Sequence, residues 1–392
     1  MLACLTLLVV LAISPLAYAE DQPKRLCGYE SLTIRSDFSG GRVNACEQLS
    51  ASHYRLTIDP EDVPPINGSP WYAFQVTSEK PQSIKIDLAY SYHEHRYWPK
   101  FSTDLKTWTR FEDDAVSISG NGVASLTIDV AEQPLYVAGQ EILTYDFHTS
   151  WARTMAERHG LDFVELGSSR LKEPIYKLET QSHEDAKKSR DYIFLVGRQH
   201  PPEVTGALAL VPFAEALFAD TDLAKRFRNE FSIVIVPALN PDGVEKGHWR
   251  HNLGSKDLNR DWGPFTQPET ILMRDALTRF NGSEKLWLFL DFHSTARNVL
   301  YTQADNEVTK PAHFAANWTK AVKARGGNYE FERAPRPVTA LPTSKNYVYT
   351  TFGAPSITYE VGDETDRQSI KDAAIIFAEE MMRILLAEKD DH

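Results

Sequence analysis

Cysteine is scarce, with three in 392 residues, and one of them, Cys4, lies inside an apolar leader. The remaining pair, Cys27 and Cys46, has no His or Cys neighbour at zinc-finger spacing, which argues against a structural metal site there. Positive charge is also in short supply. Lys plus Arg is 42 against 54 for Asp plus Glu, a balance of −12, which excludes a general attraction to nucleic acid or to anionic lipid. After the leader no apolar run approaches the ~20 residues that a membrane-spanning helix needs. Internal repeats and low-complexity segments are absent. Gly at 20 and Pro at 22, with 42% hydrophobic and 24% charged residues, exclude fibrous and disordered classes and leave an ordinary globular chain.

What is present begins with the leader. Residues 1–19 carry no charged side chain, run apolar from Leu2 to Ile13, and close on Pro15 and then Ala17-Tyr18-Ala19 before Glu20. That pattern reads as a signal peptide cleaved after Ala19, although its first residues hold no Lys or Arg; the alternative is an uncleaved anchor. Cleavage leaves a secreted or periplasmic protein with no membrane attachment. In such an oxidising compartment Cys27 and Cys46, 19 residues apart, are expected to form one disulfide, the alternative being two separate buried thiols.

The length is a prior for two domains. From about residue 28 to 140 short alternating runs, Tyr54–Ile58, Trp71–Val76, Ser83–Leu88 and Ala124–Val130, are separated by Pro, Gly and Asn clusters, the pattern of a small β-sandwich. Beyond about residue 148 the texture changes. Continuous apolar runs at Tyr192–Val196, Ser232–Val236, Leu286–Phe292 and Ser356–Val361 are spaced by helical patterns, so the second domain is α/β, a mixed sheet with helices on both faces. We place the sandwich at 20–142 and the α/β domain at 143–392.

Chemistry enters where the run Tyr192–Val196 ends. Gly197-Arg198-Gln199-His200-Pro201-Pro202-Glu203 sets a His and a Glu three apart as strand gives way to helix, from where both can reach one Zn²⁺. HxxE alone is weak, since chance copies are common. Further blocks follow in order: Asn240-Pro241-Asp242-Gly243, Trp249-Arg250-His251-Asn252, Asp257-Leu258-Asn259-Arg260-Asp261-Trp262, Asp291-Phe292-His293-Ser294 and Thr358-Tyr359-Glu360-Val361-Gly362. With these blocks, residues 150 to 386 resemble the zinc metallocarboxypeptidases, of which carboxypeptidase A is the familiar member. The β-domain ahead of them resembles the cytosolic carboxypeptidase branch.

The resemblance implies one Zn²⁺ per chain held by His200, Glu203 and His293, with a fourth position open for water as in catalytic sites. It implies that Asp257 accepts the other ring N–H of the first His, a cap being the alternative role. Glu360 would take a proton from the attacking water and pass it to the leaving nitrogen, and Arg250 would face the developing oxyanion. Asn259 and Arg260 would bind the substrate's terminal carboxylate. Lys345, fifteen positions before Glu360, falls at the floor of the side-chain pocket and would favour a terminal Asp or Glu; its alternative is an exposed loop.

Two departures from the family pattern stand out. His-Pro-Pro-Glu replaces the usual ligand turn, with Pro202 expected in the first helical turn. The substrate-capping Tyr has no match; Tyr347 and Tyr349 are the nearest, and core packing is the more economical reading of both. The aromatic stretch from Tyr90 to Trp98 reads as sandwich core, and His93 and His95 lack a third metal ligand. The implied activity is removal of a C-terminal residue from a peptide with a free C-terminus. The alternatives are a zinc amidohydrolase acting on peptidoglycan stem peptides or acyl-amino acids, and an inactive binding protein.

Overall fold

A computed structural model describes residues 26–120, 122–181, 191–282 and 284–390; the leader expected over 1–19 lies outside them. Two five-stranded sheets come first. One runs in the order Leu32–Arg35, Ala73–Ser78, Leu135–Ala138, Lys100–Ser102, Thr109–Arg110, and the other Ala45–Ser50, His53–Ile58, Gln82–Tyr90, Ala124–Val130, Val116–Ile118. Alternation decides which side chains face inward: along Ala124–Val130 every second residue, from Ala124 to Val130, is buried. Ile34, Phe74 and Val76 of the first sheet join Leu56, Ile86 and Leu126 of the second in one core. Cys27 and Cys46 are disulfide-bonded, with Cα atoms 5.9 Å apart.

Helix Tyr145–His159 opens the second half, capped by Thr144 and stopped by Gly160 in the left-handed region at φ 63°. An eight-stranded mixed sheet follows, in the order Leu161–Ser168, Pro174–Thr180, Phe231–Val236, Asp191–Gly197, Lys285–Thr295, Ser356–Gly362, Val299–Thr302, Glu332–Pro335. The central four strands pair in parallel and are almost wholly buried. That is why they read as unbroken apolar runs. Strand Asp191–Gly197 sends Ile193 and Leu195 to one core with helices Val204–Leu217 and Arg367–Asp390. Its Tyr192, Phe194 and Val196 go to the opposite core, with helices Pro268–Leu277 and Ser344–Phe352. Among the described residues no single helix is long and apolar enough to cross a membrane.

Candidate active site

The carboxyl ends of the central parallel strands form a crevice, the place where open α/β sheets collect ligands. His200 follows strand Asp191–Gly197, His293 lies on Lys285–Thr295, and Glu360 pairs in register with His293 from the adjoining strand. Glu203 is the N-cap residue of helix Val204–Leu217 but makes no cap bond; its carboxylate turns into the crevice instead. Pro202 therefore precedes the helix rather than occupying its first turn. Leaving the first turn free lets Thr205 and Gly206 dock on the strand bearing His293. Gly206 N–H donates to Ser294 Oγ at 2.8 Å, and a Cβ at Gly206 would stand 2.6 Å from the carbonyl oxygen of His293. Overpacking of this kind costs about 1–3 kcal/mol. Gly206→Ala should lower the thermal midpoint by several degrees, and an unchanged midpoint in a calorimetric scan would refute the close approach.

Three donors meet in this crevice. Glu203 Oε1 lies 2.8 Å from His200 Nδ1, Glu203 Oε2 lies 2.6 Å from His293 Nδ1, and the two Nδ1 atoms are 3.2 Å apart. Ligand atoms of the three residues all fall within 4.8 Å of one another, and all three are buried. The outer nitrogens are engaged as well: His200 Nε2–H donates to Asp257 at 2.9 Å, and His293 Nε2–H to Asp291 at 2.8 Å. An imidazole anchored on a carboxylate presents its second nitrogen as a fixed, more basic donor. Two such imidazoles and one carboxylate make a borderline-soft set that suits zinc and leaves a coordination position free.

Charge agrees with that reading. Burial alone would raise the Glu203 carboxyl, yet His200 and His293 hold it well below the usual range. Burial works against a charged His293, but Asp291 and Glu203 raise it well above an ordinary imidazole. The pocket is thus built to hold positive charge.

Asp257 opens the short turn Leu258–Arg260 without a side-chain cap bond. Its two oxygens take His200 and, at 2.9 Å, Arg250 Nε. Arg250 also reaches within 3.5 Å of Glu203. Asn259 Oδ1 accepts from Ser344 N–H at 2.9 Å, and Arg260 donates to the Asn259 carbonyl at 2.7 Å. Glu360 Oε2 is buried without a hydrogen-bond partner. Burial first, then the charge of Glu203, pushes its carboxyl up to about 7 against the pull of His293, His200 and Arg250.

Lys345 is buried in the first turn of helix Ser344–Phe352, not in an exposed loop. Its ammonium faces the carbonyls of Thr302 and Arg336 at 3.5 and 3.3 Å, and burial lowers its pKa. One cavity of about 620 Å³ touches His200, Glu203, His293, Glu360 and the cations Arg250, Arg260 and Lys345. Arg96 and Arg336 add to its wall. A cavity of similar size, about 650 Å³, lies between helices Phe314–Arg325 and Arg367–Asp390. It contains none of these groups, so chemistry and not volume selects the site.

Several members of the site carry no role in the family motifs. Asp291 sits two positions before His293, and strand alternation puts both on one face, a signal present in the chain. Tyr301 lines the cavity, whereas Tyr347 packs on Trp262 and Phe265 and Tyr349 donates to Val308 O. Neither capping candidate reaches the site. His93 and His95 bond to Ile66 O and Tyr90 Oη, as packing residues do.

Residues 148–383 match the family profile described as zinc carboxypeptidase, and residues 34–139 match the cytosolic carboxypeptidase N-terminal domain. The chain belongs to the zinc carboxypeptidase family. Its sandwich is the N-terminal domain of the cytosolic branch of that family. An uncharacterized protein of Zymomonas mobilis is 26% identical over 261 residues, 64% of this chain and 65% of its own. Mouse cytosolic carboxypeptidase 1 is 22% identical over 339 residues, 73% of this chain. The matched part spans just under two thirds of the first relative and about a quarter, 27%, of the second. Among solved structures, a metallo-carboxypeptidase from Burkholderia cenocepacia superposes with a TM-score of 0.77 at 18% identity, covering 92% of this chain and 100% of that one. One from Pseudomonas aeruginosa gives 0.73 at 20%, covering 91% and 99%. Both likenesses bear on the fold.

Proposed function

We propose that this carboxypeptidase removes single residues from the free C-terminus of peptides, using one zinc ion held by His200, Glu203 and His293. The observation that carries the reading is the sharing of one cavity by three convergent ligands, an unpartnered buried carboxylate and a bank of cations. A zinc ion held there would supply Lewis-acid chemistry, polarising a carbonyl and lowering the pKa of a water toward about 7. Arg260 and Asn259 receive the terminal carboxylate, the guanidinium by its planar fork, which sets the last peptide bond against the ligands. Glu360, raised toward neutrality and therefore a competent acceptor near pH 7, takes a proton on Oε2 and returns it to the departing amine. Arg250, fixed at Nε by Asp257, offers its remaining N–H groups to the oxygen that gains charge.

The terminal side chain meets Lys345 and Arg336 on the same wall. Their positive charge in a partly desolvated pocket favours a terminal Glu or Asp over Lys or Arg. A peptide series ending in Glu, Phe and Lys, assayed with and without chelator, should rank Glu highest, with all activity chelator-sensitive. Lys345→Met should cut kcat/KM for the Glu peptide about 10- to 100-fold, the scale of a charge-assisted hydrogen bond, and leave Phe little changed. A wild-type preference for C-terminal Lys, or an unchanged ranking in the variant, would dismiss Lys345 as the determinant. Cleavage confined to acyl-amino acids or stem peptides would instead mark an amidohydrolase.

Export of the protein is part of the proposal. The Cys27–Cys46 bridge, close to the expected cleavage point, suits an oxidising compartment. The mass of the protein isolated from its host should correspond to a chain starting at Glu20; an intact Met1 would contradict export by this route.

A further inference from the structure

The sandwich does more than precede the catalytic domain, because its side chains hold the segment that carries Arg250. The loop after strand His53–Ile58 brings Glu61 and Asp62 against residues 249–251. Glu61 Oε2 accepts the backbone N–H of Trp249 at 2.7 Å, and Oε1 accepts those of Arg250 and His251 at 2.8 and 2.6 Å. Asp62 pairs with His251 Nδ1. Three successive N–H groups directed at one carboxylate form the kind of backbone concavity that binds anions, filled here from the other domain of the same chain. The neighbouring side chain is held too. Trp249 is fully buried in the sandwich core cluster that includes Leu56 and Trp71, and that cluster also takes Val204, the residue after Glu203.

Arg250 is thus fixed at both ends. Asp257 holds the guanidinium through Nε, and Glu61 holds the main chain from which the side chain springs. A guanidinium secured only at its tip can still swing about a loose backbone. Its placement against a reacting oxygen to within about 1 Å needs both anchors, and a misplacement of that size can cost roughly 10²-fold in rate.

We propose that Glu61 is a positioning residue for catalysis, and that the β-sandwich thereby forms a working part of the active site. The inference rests on the role assigned to Arg250 above. Glu61 is neither one of the zinc ligands nor a lining residue of the cavity, and it bonds the main chain of Arg250 rather than its side chain, so its loss should leave the ground-state contacts to substrate in place.

The test is a kinetic double-mutant cycle in the full-length, zinc-loaded enzyme, with zinc content and thermal midpoint measured for each variant. Glu61→Ala should lower kcat about 10- to 100-fold with KM within about threefold of wild type and zinc retained. Glu61→Gln keeps a carbonyl acceptor but not the charge and should recover part of the loss; it also carries the test if the Ala variant fails to fold. Combined with Arg250→Ala, the Glu61 change should cost little further, since both act through one group. Wild-type kcat in both Glu61 variants while Arg250→Ala is impaired would overturn the inference alone. So would losses that multiply in the double variant, or a loss expressed in KM or zinc content. Wild-type kcat in Arg250→Ala would overturn the reading of Arg250 itself, and the inference with it.

Discussion

Glu360→Gln should lower kcat by at least about 10²-fold while zinc remains bound, within the 10²- to 10⁴-fold usual for a general base. Gln has nearly the same shape, so it preserves the packing of strand Ser356–Gly362 and the pairing with His293. What it removes is an oxygen able to take a proton. That oxygen, Oε2, is buried and has no hydrogen-bond partner, so replacing it breaks no hydrogen bond there. KM should move little, because the proposed mechanism has the terminal carboxylate received elsewhere, by Asn259 and Arg260. Steady-state kinetics on a glutamate-terminated peptide, with metal content measured on the same sample, separates the two effects. A variant that turns over near the wild-type rate would show that Glu360 is not the proton acceptor.

His200→Ala should lose metal and activity together. Two ligands cannot retain the ion, and the substitution strands two carboxylates that His200 now separates, Glu203 and Asp257. Leaving a buried carboxylate without its hydrogen-bond partner costs about 1–3 kcal/mol or more, so a lowered thermal midpoint should accompany the loss. The same geometry sets a direction with pH. His293 is raised well above an ordinary imidazole by Asp291 and Glu203, and it must release its proton to ligate. Zinc affinity of the wild type should therefore fall on acidification, by up to about tenfold per pH unit for each proton displaced. Full zinc stoichiometry in His200→Ala would remove this residue from the ligand set.

Local signals account for what could be read from the sequence alone. The buried parallel strands announced themselves as unbroken apolar runs, and Ala124–Val130 as strict alternation. The hairpin Leu161–Ser168 with Pro174–Thr180 did not, because Leu161–Ser168 is largely exposed or half-buried and carries Asp162 and Glu165 among its apolar positions. In the site, His200 and Glu203 were legible because both ligands lie within one turn, and Asp257 because it stands beside Asn259-Arg260. Asp291 is legible by its alternation with His293. Glu61, Arg96, Tyr301 and Arg336 lie outside the motif blocks and reach the site only through the packing of sandwich on sheet and the return of the edge strands. Contacts between residues 188 to 190 positions apart, such as Glu61 with the Arg250 segment, leave no mark in local composition. Lys345 falls between these cases: its position in the chain offered either the pocket or an exposed loop, and its burial beside the cavity came from tertiary structure.

The most direct measurement compares one peptide in two forms, with a free C-terminal carboxylate and with a C-terminal amide, incubated with the zinc-loaded protein and read by mass spectrometry. The free form should lose exactly one residue at a time from its C-terminus, and chelator should stop the reaction. The amide, offering Arg260 and Asn259 no carboxylate, should persist. Internal fragments from either peptide, or equal cleavage of the two, would contradict an exopeptidase that works through this zinc site.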